Sequence, residues 1–123
     1  MGAAGVDALE FAVETRLSPA EIRAAGAHAA TAGRFDGAIR EDLANAASVS
    51  YAVVHPDSLA TLMTMVLSWH ELGGGRRRAV LSVRGHVVVR SRLLGLPIGR
   101  AAVPALEPAE EFATVLRTQL AAD

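Results

Sequence analysis

The strongest pattern in the sequence is an alternation of apolar and other residues on both sides of three consecutive glycines, Gly73–Gly75. From Ala79 to Val89, nearly every second residue is apolar, which is typical of a strand with one buried face. The alternating apolar residues before the glycines are Met63, Met65, Leu67 and Trp69. A three-residue loop in which glycine supplies positive φ would join the two segments as an antiparallel hairpin.

The hairpin has one register in which both faces are consistent. It pairs Trp69 with Ala79, Leu67 with Leu81, Met65 with Val83, His70 with Arg78, Ser68 with Val80 and Thr64 with Arg84. A slip of one residue would turn every side chain to the other face, so this register is strongly specified. The same parity continues past Gly85, which predicts either a bend in one long strand or a second three-residue turn at residues 84–86.

Residues 58–72 also fit a helix. In that alternative the polar stripe consists of Asp57, Thr61, Thr64, Ser68 and Glu71. Gly73 would then end the helix. The sequence leaves both alternatives open, and we favour the hairpin because the segment after the glycines matches it residue by residue.

The N-terminal part of the chain predicts a strand followed by a helix. Alternation from Leu9 to Leu17 indicates a half-buried strand. Ser18 can cap a helix, Pro19 fits its first position, and Glu21 completes a capping box. A helix should therefore begin there and run to about Gly33.

The middle and the end of the chain complete the order of elements. The apolar residues Phe35, Ile39 and Leu43 are four apart, which favours a short second helix within residues 34–47. Residues 49–53 alternate again and predict a strand. Glycines and a proline at positions 95, 97 and 99 should end the sheet. A helix should then run over residues 108–120, with acidic residues in its first turn.

Together these elements predict an α+β fold, an antiparallel sheet with an N-terminal helical segment and a C-terminal helix packed on one face. At 123 residues, the chain should form a single domain, residues 1–123, in which residues 1–6 are a flexible tail.

The order resembles the helix-grip fold of START/Bet v 1-like (SRPBCC) proteins, in which a curved antiparallel sheet wraps a long terminal helix. The segments that carry the resemblance are Phe11–Leu17, Ser18–Gly33, the strand pair around Gly73–Gly75, and Pro108–Leu120. The resemblance implies a cavity between sheet and helix for a small apolar ligand.

The composition excludes several kinds of chemistry. The chain has no cysteine, which excludes disulfides, thiol nucleophiles and zinc–thiolate sites. It also has no lysine, which excludes Schiff-base chemistry and a P-loop, and its arginine and alanine content suggests a GC-rich bacterial genome. We find no signal peptide and no apolar run of about 20 residues, so we expect a cytoplasmic protein without a membrane anchor.

The remaining motifs have plain structural interpretations. Gly73–Gly75 matches no phosphate-binding motif, and Gly74 stands where the second histidine of a zinc-protease motif belongs. His55, Asp57 and Ser58 could support acid–base or nucleophilic catalysis, but they are also ordinary turn residues. The four histidines lack metal-ligand spacing. We therefore predict no catalytic residue, no metal and no cofactor, and a protein that is more a binder than an enzyme.

Charge is distributed unevenly along the chain. Residues 1–71 contain nine acids and four arginines, whereas residues 72–106 contain seven arginines and no acid. We predict an anion-binding sheet face formed by Arg78, Arg84, His86, Arg90 and Arg92. Arginine suits carboxylates and phosphates because its planar fork donates two parallel hydrogen bonds. The structural alternative is a solvated face whose arginines pair with Glu10 and Glu14 of the first strand.

The predicted partner is an acidic protein or an anionic small molecule. We do not expect nucleic acid, since the chain has five aromatic residues and none within residues 76–100. A homo-oligomer is compatible with the pattern. A second hypothesis is a small hydrophobic-ligand binder that uses Met63, Met65 and Trp69. A third is a hydrolase-like enzyme built on His55, Asp57 and Ser58.

Overall fold

The computed structural model confirms the hairpin around the three glycines. The structure describes residues 6–31, 38–55, 57–87, 89–93, 96–102 and 105–121. For 89–93 and 96–102 it describes the backbone alone. Strand β4 is Thr61–Gly73 and strand β5 is Arg76–His86. Gly73, Gly74 and Gly75 have φ values of 86°, 64° and 78°, a region that glycine enters without steric cost. The helical alternative for residues 58–72 is therefore wrong.

The register of this hairpin agrees with the sequence in its middle and shifts at both ends. At the turn, Gly73 lies opposite Arg76, so the loop is Gly74–Gly75 and not the three residues predicted. Trp69 lies opposite Ala79, Leu67 opposite Leu81 and Met65 opposite Val83, as predicted. Beyond that point the register shifts, and Thr64 lies opposite Gly85 instead of Arg84. The extra residue is a β-bulge, and β5 continues through it to His86. The second turn predicted at residues 84–86 is therefore wrong, and the long strand predicted as its alternative ends at His86.

The other strands extend this hairpin on both sides. Strand β1 is Phe11–Thr15, β2 is Ile39–Ala44 and β3 is Ser48–Val54. The five strands form one antiparallel sheet in the order β1-β5-β4-β3-β2. The first strand therefore lies beside the arginine-rich β5, although the two are more than 60 residues apart in sequence.

The short helix predicted within residues 34–47 is wrong, because residues 39–44 form the edge strand β2. Ile39 is buried opposite Val53, but Leu43 is 72% exposed, so the two do not form one apolar stripe. At a shift in register, the N–H of Leu43 donates to Ser50 Oγ at 3.0 Å. Phe35, the third residue of the predicted stripe, lies outside the described residues.

A second, two-stranded sheet follows the main one. Strand β6 is Val89–Leu93 and strand β7 is Leu96–Ala102, and the two pair with each other. The prediction that Gly95, Pro97 and Gly99 end the sheet is wrong, because the main sheet already ends at His86 and because Pro97 and Gly99 lie inside β7. Gly95 is outside the described residues. Proline is tolerated in edge strands, where its missing N–H need not face a neighbour, and both strands of a two-stranded sheet are edges.

The two helices are those predicted. Helix α1 is Pro19–Thr31 and helix α2 is Leu106–Ala121. The capping box is formed: the N–H of Ser18 donates to Glu21 Oε1 at 2.9 Å, and the N–H of Glu21 donates to Ser18 Oγ at 3.2 Å. Both bonds lower the pKa of the Glu21 carboxyl, and the one from the Ser18 backbone has the larger effect. This cap explains why the helix begins where it does.

Both helices pack on the same face of the main sheet, which we call the inner face. The ring centroids of Tyr51 on β3 and Phe112 on α2 are 4.9 Å apart. Gly26 of α1 lies directly over the Tyr51 hydroxyl. The guanidinium of Arg117 on α2 stands 5.7 Å from the centroid of Phe11 on β1. The chain thus has the α+β architecture that the pattern of elements predicts.

The N-terminal segment before β1 also contributes to the core. Val6 and Leu9 are 4% and 3% exposed. Val6 was assigned to the flexible tail by the sequence, but it is buried in the hydrophobic core, and residues 1–5 lie outside the described residues. The sheet register starts at Phe11, two residues later than predicted.

The contact between Gly26 and Tyr51 makes a specific prediction about stability. A Cβ at position 26 would meet the Tyr51 hydroxyl and lie 2.9 Å from its Cζ. We expect Gly26→Ala to cost about 1–3 kcal/mol through overpacking, although Gly→Ala in an open helix position gains about 1 kcal/mol. Chemical denaturation measures the change in unfolding free energy. The substitution Ala27→Gly, at the exposed next position, measures the difference in helix propensity between alanine and glycine. A stabilised Gly26→Ala variant would contradict the packing described.

The only tyrosine in the sequence allows a second measurement. The pKa of Tyr51 is raised from 10.0 to about 12, mainly by burial and to a smaller extent by the negative charge of Glu41. The positive charge of Arg23 opposes this shift. Because the folded state favours the neutral phenol, this group's contribution to stability is complete below pH 10 and is lost as the pH rises towards 12. Ultraviolet absorbance of the phenolate follows the titration directly. Reversible ionisation near pH 10 in the folded protein, as in the denatured chain, would show that Tyr51 is not buried.

Candidate functional site

Two of the arginines that follow the glycine turn are held by the protein itself. Arg76 Nη1 lies 3.2 Å from Glu14 Oε1, so Glu14 of the first strand pairs with an arginine outside the predicted face. Arg77 forms an ion pair with Glu71, and its Nη2 donates to Glu71 Oε1 at 3.0 Å. Arg77 Nη1 also donates to the carbonyl of Leu17 at 3.1 Å. These two side chains serve the structure at the hairpin end of the sheet.

Arg78 stands on the outer face of the sheet, between two groups that the register places beside it. Glu14 of β1 lies opposite Arg78 on one side and His70 of β4 on the other. All three side chains are exposed. Within the described part of the chain the Arg78 side chain forms no hydrogen bond or ion pair. This supports the alternative interpretation of Arg78 as a solvated side chain.

Arg84 and His86 are at the opposite end of β5. Arg84 follows Arg78 by six positions, which corresponds to about 20 Å along an extended strand. The bulge also removes Arg84 from its predicted place opposite Thr64, since Gly85 occupies that position. Bulges are known to re-aim side chains next to functional sites. Arg78 and Arg84 therefore belong to two separate places, and the predicted face is not continuous along β5.

Arg90 and Arg92, the other two members of the predicted anion face, lie on β6. That strand belongs to the two-stranded sheet and not to the continuation of β5. Their side chains lie outside the described residues. Of the three predicted residues whose side chains are described, Arg84 and His86 lie at one cleft and Arg78 lies apart from them.

A shallow, open cleft of about 380 Å³ lies at this end of β5. It is lined by Val6, Asp7, Glu10, Val83, Arg84, Gly85 and His86. Glu10 Oε2 accepts the backbone N–H of Val83 at 2.9 Å, which continues the hydrogen bonding between β1 and β5 past the start of β1. Arg84 and His86 are exposed and have no ion-pair partner among the residues described. We call this feature the Arg84 cleft.

Sequence reasoning missed Asp7 as a site residue and treated Glu10 only as a partner of arginines. A signal for Glu10 existed, because the strand pattern placed it beside β5. Asp7 had none, because it precedes the alternation and its approach to β5 depends on the turn before β1. The N–H of Leu9 donates to the carbonyl of Val6 at 3.0 Å, and the N–H of Glu10 to that of Asp7 at 3.2 Å.

The residues of the apolar alternative are in the hydrophobic core. Met63, Met65 and Trp69 are 1%, 0% and 6% exposed and face the side of the sheet that carries the helices. The two other clefts described are lined by residues of α2. A ligand pocket beside Trp69 stays a prediction.

The three residues of the hydrolase hypothesis, His55, Asp57 and Ser58, are joined by hydrogen bonds. His55 Nδ1 accepts the backbone N–H groups of Asp57 at 3.1 Å and of Ser58 at 3.3 Å. The Ser58 hydroxyl accepts the N–H of Ala60 at 3.3 Å. The turn holds Leu59 at a φ of 62°, a strained value for leucine. The imidazole and the hydroxyl thus satisfy backbone donors, which supports the structural interpretation of these residues.

Comparisons with known proteins give no relative: no family model matches the sequence, and neither a curated protein nor a solved structure is significantly similar to it. In the described ranges no cluster of three or more histidine and acidic side chains could hold a metal ion. No described helix has the length and apolar character needed to cross a membrane.

The difference between the adjacent arginines Arg77 and Arg78 can be tested by stability. The Arg77 side chain is 18% exposed and is bonded to Glu71 and to a backbone carbonyl. We expect Arg77→Ala to cost about 1–3 kcal/mol of unfolding free energy because the carbonyl of Leu17 loses its charged donor. Arg78→Ala should stay within about 0.5 kcal/mol. Urea denaturation of both variants measures this, and equal losses would refute the assignment.

Proposed function

We propose that this chain is a non-enzymatic binding domain whose Arg84 cleft receives a carboxylate-bearing partner. The observation that carries the proposal is the bulge in β5. It places Arg84 beside His86 at an open cleft, and it leaves the guanidinium without an ion-pair partner among the described residues. By contrast, Arg76 and Arg77 are bonded to Glu14 and Glu71.

The chemistry of arginine supports a carboxylate in this position. A guanidinium stays charged at any physiological pH and binds a carboxylate through two parallel hydrogen bonds. An exposed pair of this kind contributes about 0.2–1 kcal/mol. A single small anion would therefore bind weakly, and an acidic segment of another protein, which adds buried area around the pair, suits the cleft better.

We also propose that the fold is related to the helix-grip proteins. The order of elements and the packing of α2 on the inner face, against Tyr51 and Phe11, support the relation. The order of elements that we compared with the helix-grip fold had a short helix within residues 34–47. The structure has the edge strand β2 there, which weakens the proposed relation. We expect the protein to act in the cytoplasm.

The test of the proposed function compares two arginines of the same strand. A blocked hexaglutamate peptide is titrated into the labelled protein at low salt, and the backbone amide signals of Val83–His86 are followed by NMR. We expect Arg84→Ser to weaken binding about fivefold, the equivalent of about 1 kcal/mol. Raising the salt from about 20 to about 200 mM should weaken it further, because the Debye length shortens.

Arg78→Ser is the matched control, since it removes an exposed arginine from the other end of β5. It should leave the affinity unchanged within a factor of about two. Equal weakening by both substitutions would mean that only net charge matters. Binding that Arg84→Ser does not alter would refute the Arg84 cleft as the site.

A further inference from the structure

Acidic and basic residues both line the Arg84 cleft and form no ion pair with each other within the described residues. Asp7 and Glu10 line it from the N-terminal segment, and Arg84 and His86 line it from the end of β5. No ion pair within 4.0 Å joins these two pairs of residues in the part of the chain that the structure describes. The cleft is therefore lined by acidic residues of one segment, which we call its acidic wall, and by basic residues of another, its basic wall.

The acidic wall is fixed in place. The bond from the Val83 N–H to Glu10 Oε2 anchors that carboxylate to β5. Asp7 is exposed, and its backbone carbonyl accepts the N–H of Glu10. Val6, one residue before Asp7, is buried in the core, which restrains the segment from the inside. Asp7 thus presents a charge that the nearby protein groups do not neutralise.

Such an arrangement discriminates among anions. A compact dianion such as phosphate, bound by Arg84 inside the cleft, would place its second charge close to Asp7 and Glu10, and like charges at short range are unfavourable. A ligand that carries a cationic group beside its carboxylate would satisfy both walls. At about 380 Å³ the cleft is near the lower end of the range for ligand sites, about 300–1,000 Å³, so the ligand group is small.

We propose that the Arg84 cleft recognises a mixed-charge group, a carboxylate with an ammonium a few bonds away, and that Asp7 selects the ammonium. This inference rests on the proposed function, since it assumes that Arg84 binds the carboxylate. The group can be an amino acid in free form or neighbouring acidic and basic side chains of a polypeptide.

The experiment uses a series of ω-amino acids as probes: glycine, β-alanine, γ-aminobutyrate and 6-aminohexanoate. Each is compared with the carboxylate of the same chain length that lacks the amine, at constant ionic strength. The amide signals of Val83–His86 again report binding. We expect one chain length to bind about threefold more tightly than its matched carboxylate, as one exposed ion pair allows. A blocked peptide with adjacent Glu and Lys, compared with the best free amino acid, shows which source the cleft prefers.

Variants separate this inference from the proposed function. Asp7→Asn keeps the size of the side chain and removes its charge, so it should abolish the preference for the amine while plain carboxylates still bind. Arg84→Ser should weaken both classes of probe, and Arg78→Ser neither. Equal binding of both classes at every length overturns the mixed-charge inference and leaves the proposed function intact. If neither class nor the hexaglutamate peptide perturbs Val83–His86, both proposals fail.

Discussion

The pairing of β4 with β5 is the interaction on which the rest of the structure depends. These strands, of 13 and 11 residues, are the longest of those described. Their inner-face residues Met65, Leu67 and Leu81 are fully buried and form the central part of the surface on which the helices pack. A shift by one residue would put the arginines of β5 under the helices, where an unpaired charge costs several kcal/mol. The core and the charge distribution therefore depend on the same register.

Sequence reasoning succeeded where burial and local signals agree. The hairpin could be predicted because two alternating segments and three glycines all require the same pairing, and α1 because Ser18 and Glu21 cap it. It failed at β2, since the charged residues Arg40–Asp42 conceal a strand whose pairing with β3 comes from the rest of the sheet. Edge strands commonly carry such charges, which protect against edge-to-edge association, and so their alternation is weak. Propensity alone could not find β2, because tertiary pairing decided it.

The candidate site was harder to predict than the fold, and the reason is the bulge. Parity assigned Arg84 to the face of Arg78 and was correct for every pair from Trp69 to Met65. A single extra residue in β5 then shifted the register, so that Gly85 and not Arg84 lies opposite Thr64. The bulge left no mark in the alternating sequence, because Arg84 is the polar residue that the alternation itself calls for at this position. Composition identified the strand that carries the candidate site, but only the register showed that Arg78 and Arg84 lie in separate places on it.

The turn before β1 connects the core to the Arg84 cleft. Its buried residues Val6 and Leu9 alternate with the cleft residues Asp7 and Glu10 in a segment closed by two backbone hydrogen bonds. The Glu10 carboxylate then bonds to the backbone of Val83, immediately before the bulged Arg84. The acidic wall is thus held by apolar burial on one side and by the sheet on the other. Such preorganisation reduces the entropy lost on binding, which matters at an open site where each ion pair contributes little.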